Sequence, residues 1–158
     1  MYQTFSIEPL KIEACLIAIF CGFLLGFERQ WFGKPAGIRT SILVCMGAYA
    51  FIALANFYQD AIGGVRVLGS LVTGVGFLGA GMMLSKEGIV QGVTSAAIIW
   101  ILAAIGCLIG FGNYQAAVSI TLLTLFTLIG VNLLERAFKR LRRGVHKILK
   151  SDEIESND

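Results

Sequence analysis

The sequence contains few of the residues that soluble proteins place on their surfaces. Of its 158 residues, 15% are charged and 56% are hydrophobic. Two stretches, 40–59 and 88–134, contain no charged residue at all. A bilayer core of about 30 Å takes about 20 apolar residues in helical form, so both stretches are long enough to cross it. The sequence therefore predicts an all-α integral membrane protein and excludes an ordinary soluble domain.

Histidine and paired cysteines are also scarce. The one histidine, His146, lies far along the tail, and the four cysteines fall in apolar stretches without a C-x-x-C pair. This pattern suggests no zinc, haem or disulfide framework. Because no histidine lies in the apolar stretches, no base is available there to activate a serine or threonine. We expect no metal site, no cofactor and no catalytic residue, and hence a protein that is not an enzyme.

Five apolar segments are predicted as helical spans: 10–27, 38–57, 67–84, 93–109 and 116–134. The first lacks the positive start and cleavage site of a signal peptide, so we expect it to stay uncleaved. An odd number of spans puts the termini on opposite sides. If the C-terminus is cytoplasmic, eleven of the thirteen Lys and Arg residues are too, with Lys11 and Arg66 outside. The positive-inside rule thus predicts a five-span helical bundle with its N-terminus out and its C-terminus in.

The third predicted span is rich in glycine. Its centre, 72–81, reads VTGVGFLGAG. At 100° per residue, small side chains form one stripe over Gly69, Thr73, Gly76 and Ala80 and a second over Ser70, Gly74 and Gly81. Small residues let a neighbouring helix approach closely. We therefore expect this span at the centre of the bundle, with helix-packing positions at Gly69, Gly74, Gly76, Gly79, Ala80 and Gly81.

The same letters satisfy G-x-G-x-x-G, the dinucleotide-binding pattern. That pattern needs an acidic residue roughly 20 positions further on. Glu87 comes too early, and the next acidic residue is Glu135. We therefore interpret the glycines as packing residues.

Ionisable groups beside the spans are the first candidates for function, because each is costly near lipid. Glu28 directly follows the first span, next to Arg29, and Arg39 precedes the second. Two interpretations remain open: an ion pair that holds the first loop against the bundle, or a proton- or cation-responsive carboxylate at a cytoplasmic vestibule. A dehydrated magnesium site is not expected, since magnesium prefers six oxygen ligands and Glu28 would supply a single carboxylate.

The chain divides in sequence into a membrane domain, 1–134, and a short cytoplasmic tail, 135–158. One helical face of the tail carries Phe138, Leu141, Val145 and Ile148 among basic residues. Such a helix is typical of segments that lie on anionic headgroups, so no nucleic-acid partner is expected. The final letters, SDEIESND, are acidic and predict disorder.

Three motifs occur in order along the chain: GFERQWFGKPAGIRT at 26–40, VTGVGFLGAGMML at 72–84 and GVTSAAIIWILAAIGCLIGFGNY at 92–114. Together they resemble the MgtC/SapB family of bacterial inner-membrane proteins. The resemblance implies a five-span, multi-pass protein of the bacterial plasma membrane. It also implies a link to magnesium, phosphate and acid-stress homeostasis, through regulation of other membrane proteins rather than magnesium transport.

The resemblance also carries functional candidates onto the first loop and onto the third and fourth spans. These are Glu28, Arg29, Gln30, Gly33, Lys34, Pro35, Gly37, Arg39 and Thr40, followed by Gly74, Gly76, Gly79, Gly81, Thr94, Ala97 and Trp100. Two departures are mild: Val93-Thr94-Ser95 stands where several members have Leu-Thr-Thr, and Ser41 where they have His. Well-studied members also end in a folded cytoplasmic domain, for which the residues after Leu134 are too few.

Two hypotheses of function follow. The first is a non-enzymatic protein that acts by helix–helix contact with itself or with another inner-membrane protein. It predicts that leucine at Gly76 or Gly79 disrupts folding or assembly. The second is a small Mg²⁺ or H⁺ permease in which Glu28 is the titratable group and Thr73 and Thr94 line the path.

Overall fold

The computed structural model describes residues 8–86 and 89–137, with the backbone alone described at 59–62, 84–86, 89 and 135–137. Four helices and one short hairpin make up the described fold. The helices are α1 (Ile12–Trp31), α2 (Ile38–Gly81), α3 (Val93–Gly110) and α4 (Tyr114–Ala137). Strands β1 (Leu84–Lys86) and β2 (Ile89–Gln91) pair antiparallel between α2 and α3, with Ser85 opposite Val90. The predicted all-α class is confirmed.

Four helical segments of the described chain are long and apolar enough to cross a membrane. They are Ile38–Tyr58, Gly63–Gly81, Val93–Gly110 and Tyr114–Leu134. These segments coincide, within a few residues at each end, with the second to fifth predicted spans. The structure thus supports an integral membrane protein with four candidate spans, to which α1 adds a further long helix.

α2 folds back on itself although its helical hydrogen bonding continues through all 44 residues. Val75 belongs to the same buried cluster as Ala48 and Ile52. In a straight helix Ala48 and Val75 would lie about 40 Å apart at 1.5 Å per residue, so the axis must reverse between them. Gly64 makes the reversal possible, because a Cβ atom there would run into the side-chain oxygen of Asn56. We call Ile38–Tyr58 the first half of α2 and Gly63–Gly81 its second half.

Several predicted boundaries were wrong. The predicted spans leave 28–37 and 58–66 as connections, but only 32–37 is a loop, and 58–66 is helical. There a charge or a glycine pair ends an apolar stretch, but the backbone hydrogen bonds of the helix continue past it. The third span ends at Gly81 instead of residue 84, and the β1–β2 hairpin lies between it and α3.

The core of the fold lies around α3. Of the membrane-length segment in α3, 56% is buried, against 22% in the second half of α2. Gly106 and Gly110 let α3 approach the first half of α2: a Cβ at Gly106 would lie 2.7 Å from that of Ala48, and one at Gly110 would lie 2.6 Å from that of Ile52. α3 is thus the most buried of the four candidate spans, and the central position predicted for the glycine-rich span stays a prediction.

The glycine-rich second half of α2 is largely open within this chain. A Cβ atom added at four of its predicted packing glycines would meet no described atom within 4 Å: these are Gly69, Gly74, Gly76 and Gly81. Ala80 is exposed. Only Gly79 of the predicted set lies against a neighbouring helix, with Ala96 and Trp100 of α3 at 3.7–4.0 Å from such a Cβ.

The chain divides into two compact units, Met1–Leu123 and Thr124–Asp158. The first contains α1, α2, the hairpin, α3 and the first residues of α4. In the second, described α4 residues such as Phe126 and Leu133 expose most of their side chains. The amphipathic tail predicted over 138–158 and its acidic end lie outside the described residues, so both stay predictions.

Candidate functional site

The buried stripe of α1 leads directly to a pair of charged residues. Ala14, Ala18, Cys21 and Leu25 recur at helical spacing along its inner side, and Glu28 and Arg29 continue that stripe in the last turn. Gly22 and Gly26 bring α1 close to α2, since Cβ atoms there would lie 2.7 Å and 2.6 Å from the Cα atoms of Ile42 and Ile38. The close approach of the helices carries the two charges into the protein.

Glu28 and Arg29 are almost entirely buried, at 5% and 4% exposure. The Nη1 atom of Arg29 lies 3.7 Å from Oε2 of Glu28. The Nη2 atom of Arg29 donates a hydrogen bond of 3.1 Å to Oγ of Ser95, in the first turn of α3. Among the described residues, neither carboxylate oxygen of Glu28 nor Nε of Arg29 has a hydrogen-bond partner. The site is therefore an under-satisfied ion pair that joins the end of α1 to the start of α3.

The electrostatics follow from this burial. Glu28 and Arg29 come after the uncharged part of α1 and outside the four candidate spans. Burial raises the pKa of the Glu28 carboxyl above its ordinary value of 4.5, and the positive charges of Arg29 and Lys34 partly offset the rise. Burial likewise lowers the pKa of the Arg29 guanidinium, against the effect of Glu28. Burial thus disfavours the charged form of each residue, and the opposite charge of its neighbour partly offsets that cost.

The loop 32–37 closes over this end of α1. The backbone N–H groups of Phe32, Gly33 and Lys34 donate to the carbonyls of Glu28, Gln30 and Arg29, completing the last turn. Ala36 is buried at a positive φ of 64°, a conformation that costs energy in a residue with a Cβ. The buried hydroxyl of Ser41 donates a hydrogen bond of 3.2 Å to the carbonyl of Ala36 and holds this strained residue in place.

The structure brings some of the predicted site residues together and leaves others apart. Gln30 accepts a hydrogen bond from the N–H of Ile38 at 3.3 Å, tying α1 to α2. Four further candidates lie exposed, in the loop or near helix starts: Lys34, Arg39, Thr40 and Thr94. Thr73 is also exposed and donates to the carbonyl of Gly69, four residues back in its own helix. Trp100 is half exposed beside Gly79. The functional roles assigned to all of them stay predictions.

Sequence reasoning missed Ser95 and Ser41. Both are buried. Ser95 accepts the hydrogen bond from Arg29, and Ser41 donates one to the carbonyl of Ala36. A serine in an apolar stretch gives no strong signal, because its hydroxyl can bond its own backbone. The burial of Glu28 and Arg29 did have a signal: both continue the i, i+4, i+7 pattern of small residues along α1.

A second polar cluster lies at the opposite end of the first unit. The hydroxyl of Tyr49 accepts a hydrogen bond of 2.7 Å from the backbone N–H of Lys11, and the Asn56 amide donates to the carbonyl of Gly110 at 3.2 Å. These residues line a cavity of about 350 Å³. Because each contact links a helix end to its neighbour, we interpret this cluster as structural.

The chemistry open to the Glu28 site is narrow. No group of three His, Cys, Asp or Glu side chains in the described chain is placed to hold a metal ion. The cation of Arg29 lies beside Glu28, and the hydroxyl of Ser95 accepts a hydrogen bond from Arg29. The ion pair and this hydrogen bond together join the end of α1 to the first turn of α3.

Comparison with known proteins places these features in a family. The model of the MgtC family matches residues 15–137. The chain belongs to the MgtC family. It is 40% identical over 125 residues to the putative magnesium transporter YhiD of Escherichia coli strain K12, covering 74% of this chain and 58% of that protein. It is 37% identical over 145 residues to protein MgtC of Brucella abortus strain 2308, covering 87% and 59%.

The matched length differs among relatives in the MgtC family. The chain spans less than two thirds of the YhiD and Brucella MgtC proteins. Protein SrpB of Synechococcus elongatus is 37% identical over 163 residues, with 90% of each chain covered. No solved structure matches the chain significantly. The family assignment therefore confirms the resemblance found in the sequence, whereas the activities of the longer relatives come to this chain only as proposals.

Proposed function

We propose that this chain is a non-enzymatic protein of the bacterial plasma membrane that regulates other membrane proteins through helix–helix contacts. The regulated process belongs to magnesium, phosphate or acid-stress homeostasis. Membership in the MgtC family and the word magnesium in the name of the YhiD relative support the connection to magnesium.

The proposal includes five spans, with α1 as the fifth. The part of α1 that precedes Glu28, residues 12–27, is about 24 Å long at 1.5 Å per residue, most of the thickness of a bilayer core. Residues 14–27 of α1 carry no charge. Arg29, Lys34 and Arg39 gather where α1 ends and α2 begins, while Lys11 lies at the other end beside Tyr49. The positive-inside rule then favours an outer N-terminus and a cytoplasmic C-terminus.

The observation that carries the proposal is the open face on the second half of α2. Its small residues Gly69, Ser70, Thr73 and Gly74 are exposed, and added Cβ atoms at the glycines would meet nothing. Beside them, a groove of about 660 Å³ runs between the two halves of α2, with Gly47 and Gly74 among its apolar walls. A glycine makes fewer contacts with lipid than a larger residue would, but it lets a partner helix approach closely. This face therefore suits a partner helix. We propose a second copy or another inner-membrane protein as that partner.

The test is Gly74→Leu, which places a large side chain on the open face at a position where an added Cβ meets no described atom within 4 Å. The matched control is Gly130→Leu in α4, another glycine whose added Cβ meets no described atom within 4 Å. Two differently tagged copies are expressed in bacteria that lack their own family member. Cross-linking between copies and growth at low magnesium are then measured together.

We expect Gly74→Leu to reduce growth at low magnesium at least tenfold relative to the control, with equal amounts of folded protein in the membrane. A parallel loss of cross-links between copies would identify a second copy as the partner; retained cross-links would point to another membrane protein. Normal growth in Gly74→Leu would contradict the proposed contact face.

A second candidate function is a small Mg²⁺ or H⁺ permease. The buried carboxylate of Glu28 and the name of the YhiD relative favour it. Flux of both ions into proteoliposomes, measured for the wild type and Glu28→Gln, separates the two functions. Flux that requires the protein and is lost in the variant would replace the regulatory proposal, whereas absence of flux from well-inserted protein would support it.

A further inference from the structure

Both carboxylate oxygens of Glu28 are closed off from water. Less than 1 Å² of each oxygen is accessible, and neither has a hydrogen-bond partner among the described residues. A magnesium ion keeps several of its waters when it binds, so a carboxylate closed off from water is a poor ligand for it. A proton needs no space and turns the carboxylate into a neutral group that tolerates burial.

We propose that Glu28 is a proton-binding site and that its proton controls a latch between α1 and α3, formed by the hydrogen bond from Arg29 to Ser95. With Glu28 ionised, Arg29 keeps its counter-ion at 3.7 Å and remains bonded to Ser95 at 3.1 Å. When a proton from the cytoplasmic side neutralises Glu28, Arg29 becomes a buried cation without a counter-ion. An uncompensated buried charge is strongly unfavourable, so Arg29 turns out toward the headgroups and the latch opens.

The direction of the pH effect follows from linkage. In the closed state the guanidinium beside Glu28 stabilises the ionised form and lowers the carboxyl's affinity for a proton. In the open state that cation has left, so Glu28 binds a proton more tightly. The state that binds the proton more tightly gains population as pH falls, so acid opens the latch.

The other charged groups near Glu28 all act in one direction. Arg29 on its own helix and Lys34 in the following loop are positive and favour the ionised carboxylate. The first turn of α2 carries Arg39, which is exposed. α3 contributes no charged residue. α1 also carries Glu13, near its opposite end, and Glu87 directly follows β1 in the sequence, so the assignment of the titration to Glu28 rests on the Glu28→Gln variant below.

Trp31 is a natural reporter of the latch. It lies in the last turn of α1, two residues from Arg29, and is 75% exposed. The chain has one other tryptophan, Trp100, and one histidine, His146. A parent carrying Trp100→Phe and His146→Gln therefore has a single emitter and no imidazole. The experiment follows Trp31 emission and its quenching by acrylamide in phosphatidylcholine nanodiscs, from about pH 8 to about pH 4.5, across the range of a carboxyl with a raised pKa.

We expect a single transition in the parent with a midpoint above 4.5, the ordinary value of a glutamate. Glu28→Gln should hold Trp31 at its acid-state emission throughout. Ser95→Ala removes the acceptor but no charge, so the same carboxyl titrates while Trp31 no longer responds. Glu13→Gln, an exposed carboxyl near the start of α1, should leave the transition unchanged.

Three outcomes would overturn the latch: a flat profile in the parent, an unchanged transition in Glu28→Gln, or an unchanged transition in Ser95→Ala. If Glu28→Gln does not fold, as judged by size exclusion and circular dichroism, Glu28→Asp replaces it. The shorter side chain must then move the midpoint, and an unmoved midpoint counts against the proposal. Because the experiment uses the isolated chain, its result does not depend on whether the partner contact of the second half of α2 exists.

Discussion

The contact between α2 and α3 makes a sharp prediction about Gly106. A Cβ atom there would run into the carbonyl oxygen of Cys45 and would lie 2.7 Å from Cβ of Ala48 and 2.9 Å from the backbone nitrogen of Tyr49. Ordinary contact starts at 3.4 Å, so α3 has to move by at least about 0.7 Å along its buried side. Because two of the three obstacles are backbone atoms, rotation of a side chain cannot relieve the clash.

The cost can be compared with an alanine placed in open space. Overpacking a core costs about 1–3 kcal/mol, and we expect the upper end here. At Gly76 no described atom lies within 4 Å of an added Cβ, so alanine should gain roughly 1 kcal/mol of helix propensity. Alanine gains the same helix propensity at Gly106, so this gain cancels in the comparison, and the two variants should differ by the overpacking cost, about 3 kcal/mol, in the free energy of unfolding.

The assay is unfolding of Gly106→Ala and Gly76→Ala in mixed micelles of increasing SDS content, followed by circular dichroism. Equal stability of the two variants would refute the reasoning, because it would mean that α3 does not approach α2 as closely as described. The prediction from sequence that leucine at Gly76 disrupts folding or assembly is narrower for alanine: because an added Cβ meets no described atom within 4 Å, Gly76→Ala should leave folding intact.

Three further predictions concern stability and are checked by thermal unfolding in detergent. Gly92→Ala should cost more than Gly112→Ala: both sites have positive φ, which costs about 1–2 kcal/mol for alanine, but the Cβ at Gly92 would also strike a backbone carbonyl; equal melting temperatures would contradict this. Asn56→Ala should lose about 1–3 kcal/mol, because the last carbonyl of α3 loses its donor; an unchanged melting temperature would mean that water or a neighbour replaces it. Leu102→Ala, at a fully buried site, should cost about 2–5 kcal/mol, whereas the exposed Leu122→Ala should be nearly neutral; similar costs would argue against α3 as the core.

The helical segments could be predicted from sequence because membrane insertion depends on long apolar stretches. The predicted fourth span, 93–109, matches α3 to one residue. The reversal of α2 could not be predicted, since Asn56 and Gly64 act through a contact between residues eight apart in sequence. The hairpin before α3 was missed because three-residue strands are too short to show an alternating pattern.

The glycines show why helix packing is harder to predict from sequence than the positions of the spans. The sequence analysis predicted helix packing at the densest glycine cluster, around Gly74 and Gly76. The close approaches of α1 and α3 to α2, however, involve pairs of glycines four residues apart. These pairs are Gly22 and Gly26 in α1, and Gly106 and Gly110 in α3. A small residue every fourth position is enough for one helix crossing. Density of glycine along the sequence therefore does not identify which face is used.

The Glu28 site was partly predictable. A charge at the end of an apolar span is costly near lipid, so its position made Glu28 a candidate. The sequence left open whether it forms a structural ion pair or is a responsive carboxylate. The structure sharpens that choice, because a purely structural ion pair would be expected to satisfy its remaining lone pairs with hydrogen bonds. Glu28 does not do so within the described chain. Its partner Ser95 could not be found from sequence, since the contact spans 66 residues.

The glycines of the membrane domain fall into two sets with different roles. Those of α1 and α3 hold the chain together, and alanine there would force helices apart. Four glycines of the second half of α2 contribute little to that packing, yet each still lowers helix propensity by about 1 kcal/mol relative to alanine: Gly69, Gly74, Gly76 and Gly81. A chain under no other constraint would gain stability by replacing them. Their cost is accounted for if a partner helix packs there, and the same substitutions that stabilise the isolated chain should then weaken its assembly.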